Sequence, residues 1–124
     1  MFTDLPEITV HPEAQTKTEG ENVTLSCNVA GNPAPTISWT RNGSPLNTTG
    51  RINFSDGKKQ LTITNVNRTD SGEYRCVARN SLGNATSNVA TLNVQCKYIV
   101  LSLSIKFEHV ASVLSLQLKN PFFP

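Results

Sequence analysis

The chain has 124 residues, a formal net charge of +2 and 16% charged side chains, which suits one small domain and offers no case for nucleic acid, whose binding calls for a clustered basic face. With 6% aromatic residues, one Trp and one Met, the core is modest and gains from a cross-link. Three cysteines leave at least one unmatched whatever the pairing.

Residues 1–5 read as an N-terminal extension. Phe2 and Leu5 are separated by Thr3 and Asp4, so the stretch lacks the apolar centre of a secretory signal. The expectation is either a signal further upstream or a chain that stays inside the cell. Ile8 and Val10 followed by Pro12 predict an edge strand broken by a proline, and residues 19–22 a turn. Val23, Leu25, Cys27 and Val29 then alternate with Asn22, Thr24, Ser26 and Asn28, the period of a half-buried strand.

Gly31-Asn32-Pro33-Ala34-Pro35 stops that strand. Ile37 and Trp39 face inward on the next, and Asn42-Gly43 is a tight-turn signal. A short strand over residues 51–55 points Ile52 and Phe54 inward. Asp56-Gly57 turns the chain into a strand over residues 60–64 that buries Leu61 and Ile63, and Val66 plugs the end of the core. From Asp70 to Asn80, Tyr74, Cys76 and Ala78 share one parity while Glu73, Arg75, Val77 and Arg79 share the other. A turn over residues 80–84 leads to a last strand carrying Ala90, Leu92 and Val94. Seven or eight short strands at this spacing predict two packed antiparallel sheets.

Cys27, Trp39, Leu61 and Asp70-x-Gly72-x-Tyr74-x-Cys76 together resemble an immunoglobulin domain. Gly31-Asn32-Pro33-x-Pro35 and Cys76-x-Ala78-x-Asn80-x-x-Gly83 resemble its intermediate, or I-set, class, found in tandem arrays of adhesion molecules and receptors. The resemblance covers residues 6–95. It implies an all-β, immunoglobulin-like Greek-key sandwich with Trp39, Leu61 and Tyr74 in the core and a Cys27–Cys76 disulfide between the sheets. It also implies a structural salt bridge between Arg51 and Asp70 closing one end. Reduced cysteines, as intracellular muscle domains of this class allow, are the alternative to the bridge. A hairpin turning near Leu82 sets Cys76 opposite about Asn88. Cys96 then lies roughly 25 Å further on, and a disulfide needs Cα atoms within about 7 Å, so Cys76–Cys96 is excluded.

Asn-x-Ser/Thr triplets start at Asn22, Asn42, Asn47, Asn53, Asn67 and Asn84. Thirteen asparagines in a chain with about one Ser or Thr in five would give roughly two or three by chance. The excess predicts N-linked glycosylation in a secretory compartment; turns and strand edges simply rich in Asn, Ser and Thr are the competing account. Pro45 after its triplet makes Asn42 the weakest acceptor.

No chemistry is written into the chain. His11 and His109 lie far apart with no Asp, Glu or Cys at metal spacing, and neither a phosphate loop nor a carboxylate pair is present. The expectation is no catalytic residue, no cofactor, no metal and no small-molecule substrate. What remains is a surface: Ser38, Thr40, Arg75, Val77 and Arg79 form a candidate binding face for a protein partner, homophilic or a neighbouring immunoglobulin domain. By family analogy this points to an extracellular or cell-surface protein-binding module, a fragment of an adhesion molecule, receptor or matrix protein. The alternative is an intracellular muscle-type domain serving as a mechanical spacer.

Residues 96–124 depart from the pattern. Leu101, Leu103, Ile105 and Phe107 alternate as a strand would, but the uncharged runs are too short to span a bilayer and Lys106 and Glu108 divide them. An extra or swapped strand, a poor membrane anchor and translated non-coding sequence all fit. The last is favoured, which makes the tail a non-domain segment, disordered or spurious.

Overall fold

The computed structural model describes residues 3–96; the readings made for residues 1–2 and for the tail beyond Cys96 lie outside them. In chain order the elements are β1 (Asp4–Val10), β2 (Gln15–Thr18), β3 (Val23–Ser26), β4 (Asn28–Asn32), β5 (Thr36–Arg41), β6 (Ser44–Pro45), β7 (Ile52–Ser55) and β8 (Gln60–Ile63). A single 3₁₀ turn (Arg68–Asp70) precedes β9 (Gly72–Asn80), β10 (Gly83–Thr86) and β11 (Ala90–Gln95).

Two layers result. In one, β3 pairs with β8 and β8 with β7, while β4 pairs with β1. β3 and β4 form a run interrupted at Cys27, whose N–H donates to the Lys59 carbonyl at 2.8 Å. In the other, the order is β2-β11-β9-β5-β6, with β10 also on β9. One ladder departs from antiparallel pairing: β2 runs parallel to β11, from Leu92 opposite Gln15 to Gln95 opposite Thr18. The cause lies in the proline break. Between Val10 and Gln15 the chain passes the buried Pro12 and joins the second layer without reversing direction, so its two halves pair with different sheets.

Period-two alternation decides the core. Val23, Leu25, Leu61 and Ile63 from the first layer meet Trp39, Tyr74, Ala90 and Leu92 from the second, each at most 2% exposed; burying a side chain of the size of Leu61 is worth about 1.5–3 kcal/mol. The indole of Trp39 donates to the Lys58 carbonyl at 2.7 Å, so its one polar atom is satisfied. Val66 is buried at one end. Val29 and Phe54, both expected inward, are only half-buried. Phe54 sits on β7, the last strand of its layer, and the Lys58 ammonium lies 5.5 Å from its ring centre.

Candidate functional site

The end of the sandwich where β5 finishes and β7 begins is closed by charge. Asp70 is the third residue of the 3₁₀ turn and 1% exposed. Arg51 holds it in a fork, Nη1 donating to Oδ2 at 2.7 Å and Nη2 to Oδ1 at 3.1 Å. The Asn67 N–H donates to Oδ2 at 2.9 Å, and Arg41 Nη1 stands 3.7 Å from Oδ1. Fixed donors on both carboxylate oxygens are what a buried charge requires. The Tyr74 hydroxyl donates to the Asp70 carbonyl at 2.6 Å, the backbone hydrogen bond of a tyrosine corner. Gly72 is needed between them: a Cβ there would stand 2.9 Å from Asn42 Oδ1, on a backbone with φ of +158°.

Burial by itself raises the Asp70 carboxyl, but the hydrogen bonds from Arg51 and Asn67 and the charges of Arg51 and Arg41 outweigh it and hold the group below its ordinary value. A depressed folded value means that Asp70 contributes stability in full above the unfolded carboxylate value of about 3.9 and loses it as pH falls through the folded one. Acid unfolding followed by circular dichroism should therefore show a stability loss below about pH 4 that is smaller in Asp70→Asn. Identical acid limbs in the two chains would contradict it.

Cys27 and Cys76 are bonded to each other, both 0% exposed, with Cα atoms 6.6 Å apart. Cys96 is free and half-buried. Ser87 buttresses the bridge, its hydroxyl accepting from the Cys76 N–H at 3.0 Å and its own N–H donating to the Cys76 carbonyl at 2.9 Å. The residue opposite Cys76 is thus Ser87, one short of the Asn88 expected from the turn.

The proposed binding residues come together on the outer face of β5 and β9. Thr40 lies opposite Arg75, Ser38 opposite Val77 and Thr36 opposite Arg79. Ser38, Arg75 and Arg79 are exposed; Thr40 and Val77 are half-buried. β10 extends the same face, with Asn84 opposite Arg79 and Thr86 opposite Val77.

All six asparagines of the triplets are exposed, but they divide in two. Three serve the backbone: Asn22 Oδ1 accepts from the Asn65 N–H at 3.0 Å, Asn42 Oδ1 from Glu73 at 2.9 Å and Asn67 Oδ1 from Thr69 at 2.9 Å. Asn42 also takes the positive φ of 51° that opens the tight turn with Gly43. The carboxamides of Asn47, Asn53 and Asn84 have no such duty.

A shallow hollow of about 230 Å³ lies between Val10, His11, Glu13, Gln15, Thr24 and Ser26. His11 is committed there, its Nδ1 accepting from the Asn88 N–H at 3.0 Å. Among the described residues no group of three His, Cys, Asp or Glu could hold a metal ion. Residues 6–94 match the sequence model of the Immunoglobulin I-set domain.

The chain belongs to the immunoglobulin I-set family.

It is 39% identical over 74 residues to neural cell adhesion molecule 1 of Rattus norvegicus, a match covering 56% of this chain and 9% of that protein. It is 40% identical over 81 residues to the muscle M-line assembly protein unc-89 of Caenorhabditis elegans, covering 63% of this chain and 1% of that one. The structure of tandem Ig repeats of Dlar superimposes with a TM-score of 0.72 at 32% identity, over 76% of this chain and 50% of that one. The chain thus spans less than a tenth of the length of these two relatives. Sequence reasoning missed three features of this I-set domain: the second guanidinium at Asp70, from Arg41; the Asn42 bond to β9; and the Asn80 carboxamide, which donates to the carbonyls of Asp4 at 2.9 Å and Pro33 at 3.1 Å. Only the Asn42-Gly43 turn signal, which places Arg41 at the end of β5, hinted at any of them.

Proposed function

We propose that this I-set domain is an extracellular protein-binding module of an adhesion molecule, receptor or matrix protein, and that it binds through the outer face of β5, β9 and β10. The observation that carries this reading is the flat row of Thr36, Ser38 and Thr40 beside Arg79, Val77 and Arg75. Among the described residues its two exposed guanidiniums have no ion-pair partner, so they are available to an acidic surface. The similarity to neural cell adhesion molecule 1 and the exposed triplet asparagines support the extracellular half of the reading.

The second reading, a muscle-type spacer, is favoured by the similarity to unc-89. In that setting the triplets stay unmodified and the load passes along the strands instead of across the face. One preparation separates the two. The full chain secreted from animal cells should lose mass on enzymatic removal of N-glycans, and the stripped chain should show an association with an acidic polyglutamate surface that vanishes in the double variant Arg75→Glu with Arg79→Glu. No mass loss, together with association unchanged by the charge reversal, would overturn the proposal.

A further inference from the structure

Asparagine is depleted in strands, and in this domain Asn22, Asn42, Asn67 and Asn80 each bond to the backbone through the side chain. Asn84 has no such task. It is the second residue of β10 and exposed, and its carboxamide makes no hydrogen bond among the described residues. Thr86, the third member of its triplet, follows on the same side of the strand by the two-residue period. Register decides what lies beside it: Asn84 is directly opposite Arg79, and Thr86 opposite Val77. Both neighbours belong to the proposed binding face, and adjacent strands are only about 4.8 Å apart.

We infer that Asn84 is an N-glycan attachment site whose occupancy covers the β5–β9 face, so that the face is open only in the fraction of molecules left unmodified there. This rests on the extracellular reading above. In the modification, Asn84 Nδ2 forms a bond to the anomeric carbon of an oligosaccharide carried on a lipid diphosphate. The bond from that carbon to the diphosphate oxygen breaks, the carboxamide gives up one proton and the lipid diphosphate leaves. The attached sugar is bulky and hydrated and stands over Arg79 and, one residue pair along, over Val77. By contrast Asn53, on β7, is opposite Thr62 on the other layer; sugar there would leave the β5–β9 face clear.

The test uses the full chain secreted from animal cells behind an appended signal sequence, with glycan occupancy mapped triplet by triplet by mass spectrometry. Reaction of Arg75 and Arg79 with an arginine-specific dicarbonyl reagent is then compared between glycosylated native chain and Asn84→Gln. Arg68 is the reference, since the substitution leaves its surroundings unchanged. The expected result is a glycan on Asn84 and several-fold slower modification of Arg75 and Arg79 in the native chain, with Arg68 equal in both. Thr86→Ala should reproduce Asn84→Gln, and Thr86→Ser should retain the protection, which separates loss of sugar from disturbance of the strand. Sugar on other triplets but none on Asn84 overturns this inference and leaves the extracellular reading standing, as does an occupied Asn84 without protection. No sugar on any triplet overturns both.

Discussion

Cys27→Ala combined with Cys76→Ala is expected to lower the unfolding free energy by about 4 kcal/mol and the thermal midpoint by roughly 20 °C. The bridge joins residues separated by 49 positions, so in the unfolded chain it closes a loop containing β4, β5, β6, β7, β8, the 3₁₀ turn and the start of β9. Most of its effect is the entropy it removes from that ensemble. The folded state adds a smaller cost: both sulfurs are fully buried, so alanine leaves voids in the core, but each is only the size of one atom. Cys96 has no part in this: Cys96→Ala should leave the midpoint where it is. Urea titrations of the native chain with and without reductant provide an independent route to the same number. A change below about 1 kcal/mol in both experiments would mean that the sheets hold together by packing alone, as a chain reduced in its working compartment would need.

The alternation of Val23, Leu25 and Cys27, and of Tyr74, Cys76 and Ala78, made the strands and the core legible before any coordinates, because burial of one face imposes a period of two. Register was not legible in the same way. Parity pointed Arg79 outward and the expected turn over residues 80–84 took in Asn84, but their juxtaposition depends on how the Asn80–Gly83 turn closes. There Asn80 Oδ1 accepts from the N–H groups of Leu82 and Gly83. A one-residue difference then separates the β10 register, Gly83 opposite Asn80, from the β11 register, Ala90 opposite Tyr74. The offset is taken up around Ser87, which is why Cys76 meets Ser87 and not Asn88. The parallel β2–β11 ladder was hidden for a related reason: Pro12 announces a break, but not which layer receives the second half. The Arg41 approach to Asp70 was barely legible: the Asn42-Gly43 signal put Arg41 at the end of β5, but ion-pair partners on different elements carry no periodic signature.

That same register couples two features which the sequence presents as unrelated. Triplets at Asn22 and Asn67 gather where the Val66 N–H donates to the Glu21 carbonyl, and Asn53 lies on the far layer. Asn84 lies directly opposite Arg79, on the face of the basic pair. On the proposed reading, modification and recognition would compete on that surface, whereas sugar on Asn53 would add solubility without touching it.

Asp70→Ala is expected to cost about 3 kcal/mol, read as a urea midpoint lower by roughly 2–3 M. The substitution leaves the Asn67 N–H without its acceptor and empties a buried site that two guanidiniums were arranged around. Asp70→Asn should cost less, because its remaining carbonyl oxygen still accepts from one donor, although it cannot receive the Arg51 fork. Tyr74→Phe should cost about 1 kcal/mol, the worth of a neutral hydrogen bond, since its ring stays in place and only the bond to the Asp70 carbonyl is lost. The order Asp70→Ala, Asp70→Asn, Tyr74→Phe is more informative than any single value. If the carboxylate acts through its charge, adding Arg51→Ala to Asp70→Ala should cost little more, because the guanidinium is held at this end chiefly through that carboxylate. Additive costs in the double variant, or an Asp70→Ala midpoint within experimental error of the native one, would show that Tyr74 and the packing around Val66 close this end of the sandwich without the ion pair.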